Sequence, residues 1–368
     1  MLALGLIAAL AIVLLSRPAA QPAYEGRALE VWLQGIVPGA RGGAEALEPV
    51  EVTNAVRHIG AQALPYLASW VSYERPRWKN RALRVMNRLP GPMRNAPFAD
   101  LLFDVREDRR VICGLYGIDI LGTTAAPIAP ELTRLMTNTR SPSTRANVMF
   151  ALHSLGPAGY APLAGVLGDK QCAYRRYAAS NIGQMGERKL LGGRADEAIG
   201  LLLDCLEDKD FELACTAVTA LGRIREEPER VLPRLMRQLD HRTDRMQIVS
   251  AQALGWFGEG ARPAVPALVK VLERTNTGAA MYAAEALGRL RLEPEIVVPA
   301  LTKALESQEG GLRQFAAHAL GLFGPQARSV VPQLRALAEK NEPGTSVVAK
   351  EALRKIAPGE ATSEPRER

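Results

Sequence analysis

The chain has 368 residues, 47% of them hydrophobic, 23% charged and 5% aromatic. That balance excludes a disordered chain, a collagen-like rod and a polytopic membrane protein. The formal charge is +7, but Glu74–Arg94 carries seven basic residues against one acid, so everything else sums to +1, too balanced for a nucleic-acid channel along the whole chain.

Leu2–Leu15 is a run of fourteen residues without a charge, closed by Arg17 and Pro18. As a helix it would reach about 21 Å, against a hydrocarbon core of roughly 30 Å. That length suits the apolar part of a signal peptide. Yet no Lys or Arg precedes it, and Pro18 before Ala20 and Gln21 before Ala23 spoil both small-x-small cleavage sites. The reading is an uncleaved anchor, a single transmembrane segment over residues 1–20, with secretion after signal cleavage as the alternative. Arg17 and the terminal amine oppose each other in the positive-inside rule, so orientation rests on the segment's resemblance to an amino-terminal export signal. The body of the protein is expected on the exported, periplasmic side. Residues 21–49 follow as a linker, Pro22–Gly26, and a lead-in helix.

From residue 50 to 357 the chain repeats. An Ala-Leu-Gly triplet recurs with Gly222, Gly255, Gly288 and Gly321, each spacing being 33. A fixed period of this size means stacked supersecondary units. Within 245–274, Ile248, Ala251, Leu254 and Phe257 form one apolar helix face. Gly258 and Gly260 are expected to end that helix with left-handed torsions. Pro263 and Pro266 then open a second helix, since a proline is tolerated where the N–H has no helical acceptor. Val265, Leu268, Val269 and Leu272 form its apolar face. Gly122 with Pro127 and Pro130, and Gly324 with Pro332, repeat the frame; Gly60, Gly156, Gly183 and Gly186 mark further units. The last helix, Ser346–Ile356, has no full partner, and its Lys350, Arg354 and Lys355 fit a polar end cap. Residues 358–368 read as a disordered tail.

Ala-Leu-Gly closing one helix and Ala-x-x-Pro-x-Leu opening the next resemble HEAT repeats of the phycobilisome-lyase-like type. The resemblance covers about nine units and implies an all-α fold, a right-handed α-solenoid of stacked helix-turn-helix repeats behind the anchor. The basic residue that the family often carries early in the first helix appears as Arg145, Arg175 and Arg313, but is Ala214, Gln247 and Ala280 elsewhere. Tyr24–Leu33 is similar to the link between anchor and solenoid in membrane-anchored HEAT proteins.

Three constellations are candidates for function. Twelve residues after the turn position stand Arg134, Arg237, Lys270 and Lys303. All four point away from the apolar face, and stacking would align them as a basic track for an acidic protein or peptide segment. The bland reading is a solvated row, which costs little: two charges about 10 Å apart in water repel by only ~0.4 kcal/mol. Second, Arg77, Arg81, Arg84 and Arg88 form one helical stripe close to the anchor in sequence. They would suit anionic lipid head groups, although an ordinary amphipathic repeat helix is the favoured reading. Third, Gly186 to Arg225 spans 39 residues instead of 33, which places an insertion near 187–194. Its Arg188, Lys189 and Arg194 are candidate contacts, with a tolerated surface loop as the equal alternative.

No metal or cofactor site is legible. Cys113, Cys172, Cys205 and Cys215 lack C-x-x-C spacing, and small buried hydrophobes are their expected role. Cys205 and Cys215 fall on successive helices, so a disulfide is open between them. The four histidines are isolated, and no His-Glu dipeptide occurs, which sets aside the related HEAT-type iron hydroxylases. The expectation is a non-catalytic, membrane-tethered scaffold that binds a protein partner along its second-helix face, and no nucleic acid. A bilin-lyase-like enzyme or accessory subunit is the alternative; it would need a pigment groove, for which Trp256 and Tyr282 are the nearby aromatics.

Overall fold

The structure, a computed structural model, describes residues 21–35, 48–74, 106–274, 278–340 and 342–358. The anchor expected over 1–20, the stripe Arg77–Arg88 and residues 359–368 of the expected tail lie outside them. The described residues are helical throughout, apart from turns and two short strands, β1 (Ala23–Tyr24) and β2 (Arg27–Ala28), paired antiparallel. The chain divides into two compact units, residues 1–162 and 163–368.

The first unit opens with β1 and β2, and Pro22–Gly26, expected as a linker, carries β1 and its turn. Helix α1 (Leu29–Gln34) follows, with Leu29 and Leu33 fully buried. Trp32 Nε1 donates to the Tyr24 carbonyl at 3.1 Å. The Arg110 guanidinium forks onto Glu30, with Nε–Oε1 and NH2–Oε2 both 3.0 Å. The lead-in packs on the helices α2 (Pro49–Ile59) and α4 (Arg106–Leu121), and α3 (Leu64–Val71) packs on α4 in turn. Two more helices, α5 (Ala129–Asn138) and α6 (Pro142–Ser154), continue the unit, and α7 (Pro157–Gly168) spans its boundary.

The second unit is a run of helix pairs: α8 (Arg175–Glu187) with α9 (Ala195–Asp204), α10 (Phe211–Ile224) with α11 (Pro228–Gln238), and α12 (Asp244–Leu254) with α13 (Val265–Leu272). Then come α14 (Gly278–Leu290) with α15 (Pro294–Ala304), α16 (Gly310–Phe323) with α17 (Val331–Glu339), and the unpaired α18 (Pro343–Ile356). Lys350, Arg354 and Lys355 are exposed on α18.

The turns follow from backbone sterics. Gly258 (φ 58°) and Gly324 (φ 57°) are left-handed and lead into short 3-10 segments. Pro263 falls in such a segment and Pro266 in the first turn of α13, where a missing N–H costs nothing. Gly260 does not share the left-handed torsion expected of it. In two repeats Arg225 (φ 57°) and Arg291 (φ 52°) take the glycine's place, each followed by a left-handed Glu and a proline.

The triplet's own glycine has a different task from the one its position suggested. Gly222, Gly288 and Gly321 lie inside their helices, which run two residues further. Each faces an alanine 31 places on, Ala253, Ala319 and Ala352. A Cβ added at Gly222 would sit 2.7 Å from the Cα and Cβ of Ala253, one at Gly255 2.9 Å from those of Ala286, and one at Gly288 2.7 Å from those of Ala319. Gly183 against Ala220 shows the same 2.7 Å despite the insertion between them. First helices thus meet backbone to backbone along a glycine–alanine seam through the second unit. This close contact also broadens the buried stripe of α12: Met246 and Ala253 are buried, whereas Ile248 and Phe257, expected in the apolar face, are half-buried.

Candidate functional site

Helices α11 and α13 are the second helices of adjacent repeats. On α11, Val231, Leu232 and Leu235 are buried, and helical periodicity turns Arg230, Arg234 and Arg237 outward. On α13, Val265, Leu268 and Leu272 are buried, Lys270 is exposed, and Arg274 follows just past the helix end. The two helices flank a groove of about 690 Å³. Pro233, Met236, Ala267 and Val271 supply apolar lining, and Asp240 is the one acid among the lining residues.

Most of the groove's cations have local partners. Arg230 meets Asp196 at 2.5 Å and Glu227 at 3.0 Å, and Arg234 reaches Glu207 at 3.8 Å. Arg274 pairs with Asp240 and donates to the Leu239 carbonyl at 3.1 Å. The side chains of Asp196 and Glu207 are 78% and 77% exposed, so those pairs are weak. Arg237 and Lys270 have no ion pair among the described residues. The expected ladder is thus brought together at two of its rungs. Lys303 is exposed on α15 and does not line the groove. Arg134 is exposed on α5, in the other unit.

The insertion is tied down. Lys189 (φ 58°) bonds Glu226 at 3.2 Å, Arg194 meets Glu197 at 3.4 Å, and Arg188 caps α8. Leu191 is buried, and the Leu190 N–H donates to the Met185 carbonyl at 2.7 Å. Lys189 is thus paired with the following repeat and Arg194 with its own.

The arginines early in the first helices turn out to be clamps. Arg145 donates to the carbonyls of Met136 (3.0 Å) and Thr139 (2.6 Å), and Arg313 to those of Ser307 (2.7 Å) and Gln308 (2.9 Å). Arg175 donates to the Leu167 carbonyl at 2.9 Å and to Asp208, one repeat later, at 2.5 Å. Gln247 does the same work by donating to the His241 carbonyl at 2.5 Å. Each clamp satisfies carbonyls at or just past the end of the preceding helix. Arg175 and Cys205 line a cleft of about 810 Å³ beside the loops at 168–171 and 204–209. Burial pushes the Cys205 thiol up despite the Arg175 charge, and burial with the Glu30 charge pushes Cys113 up to about 12. All four cysteines are free thiols, so the disulfide left open between Cys205 and Cys215 is not formed. His153 is buried, with its ring nitrogen on the Phe150 carbonyl, in keeping with a packing role. The space lined by Trp256 and Tyr282 is about 30 Å³, room for one water.

Helix pairs joined by turns that carry left-handed residues, their first helices meeting on one seam, recur through the second unit. Residues 160–255 match the HEAT repeats family. A like fold occurs in solved structures. The karyopherin Kap121p bound to the SUMO protease Ulp1p shares 13% identity at a TM-score of 0.52, over 89% of this chain and 41% of that one. Kap121p bound to Nup53p shares 12% at 0.50, over 89% and 41%. The chain thus spans about two-fifths of the karyopherin's length, and the likeness is one of fold alone. The CpcE–CpcF complex of phycocyanin lyase from Nostoc sp. PCC7120 shares 25% identity over 61% of this chain and 86% of that one, at a TM-score of 0.37, too low to carry an argument. No curated protein matches the sequence.

Proposed function

We propose that the protein is a non-catalytic interaction scaffold, a membrane-tethered HEAT-repeat solenoid that holds a protein partner on its second-helix surface on the exported side. The observation that carries this reading is the α11–α13 groove, with apolar lining and two cations without ion-pair partners among the described residues. A stacked-repeat surface offers contact area rather than an enclosed reaction chamber. The cleft beside Arg175 also speaks for binding over chemistry, because Arg175 and Asp208 neutralise each other there and burial pushes the Cys205 thiol up. Kap121p, of like fold, is seen bound to protein partners, and the same use of the surface is proposed here. Tethering rests on the apolar run Leu2–Leu15.

The test is affinity purification of the full-length protein from detergent-solubilised membranes. A protein recovered in near-equal amount is the expected result. A preparation that carries visible absorbance and no second protein would instead favour the lyase-like alternative.

A further inference from the structure

Resting on the scaffold reading, the geometry points to the chemistry of the partner: the α11–α13 groove takes an extended peptide segment in which acidic residues alternate with apolar ones.

The length of the groove sets the size of the occupant. Its lining runs from Arg230 to Asp240 on one wall and from Pro263 to Arg274 on the other. The nine of these on α11 itself, Arg230–Gln238, extend about 13 Å, which an extended chain covers in roughly four residues. Such a chain sends alternate side chains to opposite sides. Apolar side chains pointing down would meet Pro233, Met236, Ala267 and Val271. The intervening carboxylates would stay at the rim, within reach of Arg237 and Lys270.

The charge pattern selects the sign. Five cations and one acid line the groove, and the two without partners among the described residues, Arg237 and Lys270, stand on opposite walls. A carboxylate between them gains two charge-assisted hydrogen bonds without breaking an existing pair. Arg234 and, in part, Arg230 add a second tier: Glu207 and Asp196, which they now hold, are more than three-quarters exposed and readily exchanged, while Arg230 keeps Glu227, which is 34% exposed. The apolar floor favours a peptide over a nucleic acid, whose phosphates need a charged track and whose bases need aromatic platforms that this groove lacks. The occupant differs from that of a general basic surface, because Lys303, equally exposed and equally placed in the repeat, lies outside the groove.

The experiment is fluorescence anisotropy on full-length protein in detergent, with a short labelled peptide alternating Glu and Leu. Parallel probes alternate Lys with Leu or Glu with Ser, and a single-stranded oligonucleotide serves as the fourth. The Glu–Leu peptide should bind best and weaken with added salt. It should lose roughly tenfold in affinity in the double variant Arg237→Ala, Lys270→Ala, and keep its affinity in Lys303→Ala. Circular dichroism establishes that each variant is folded. The proposal is overturned by absent binding, by undiminished binding in the double variant, or by equal binding of the Glu–Ser peptide or the oligonucleotide. A cellular partner that the double variant retains would also overturn it while leaving the scaffold reading intact. Groove-dependent peptide binding without any cellular partner would support the groove's chemistry and count against the scaffold reading alone.

Discussion

Arg175 shows how much one side chain does in this architecture. It is 12% exposed, closes the end of α7 through the Leu167 carbonyl and reaches Asp208 in the next repeat, itself 18% exposed. Asp208 is held below the usual carboxylate range, first by the Asp210 backbone N–H and then by Arg175. A carboxyl depressed in the folded state stabilises it above the unfolded value, about 3.9, and that contribution is lost as pH falls through the folded value. Arg175→Ala should therefore cost about 2–3 kcal/mol in urea unfolding at pH 7. The gap between variant and native protein should narrow near pH 3, without closing, because the Leu167 carbonyl loses its donor at any pH. An unchanged gap would show that Asp208 contributes nothing. The basic residue early in the first helix was visible as a pattern, but its partner lies 33 positions on and became identifiable only when the repeats were stacked.

At the scale of the element, the glycine–alanine seam is the feature with the least slack. A Cβ at Gly222 would come within 2.7 Å of the Ala253 Cα and 2.8 Å of the Trp256 ring, and backbone cannot rotate away as a flexible side chain can. Gly222→Ala should thus separate α10 from α12 and destabilise the protein by about 1–3 kcal/mol. Gly165, inside α7, has open space where a Cβ would go. Gly165→Ala should stabilise by up to about 1 kcal/mol through helix propensity. Paired thermal or urea melts decide this, and similar effects of both changes would refute the seam. The recurrence of glycine was plain in the sequence, yet it read as a helix end, because periodicity locates a residue without saying what packs against it.

For the whole molecule, the division at residues 162 and 163 bears on cooperativity. The seam positions in the first unit are Asp119 and His153 instead of glycine, and Asp119 accepts a 2.7 Å hydrogen bond from Ser154. Polar contacts there replace the close backbone approach used further on. Repeat arrays unfold as sums of local and nearest-neighbour terms, and two differently built units need not unfold together. Urea unfolding followed by circular dichroism should show more than one step, with Gly222→Ala moving only the step of residues 163–368. A single transition shifted as a whole by that variant would show one cooperative unit.

The sequence by itself determined the all-α class, the repeat frame and the outward direction of the basic second-helix positions, because helical periodicity, proline and glycine act locally. Pro266 and Gly258 lie where backbone sterics put them, and Arg237 and Lys270 stand exposed as the period requires. Tertiary structure alone decided which charges remain unpaired. Lys189 and Arg237 look alike in a list of basic residues, but one meets Glu226 and the other faces an open groove. It also decided that Arg237 and Lys270 share that groove while Lys303 does not. Ion pairs and grooves between repeats depend on the distance and rotation between stacked helices, which side-chain packing sets across more than thirty residues of intervening chain.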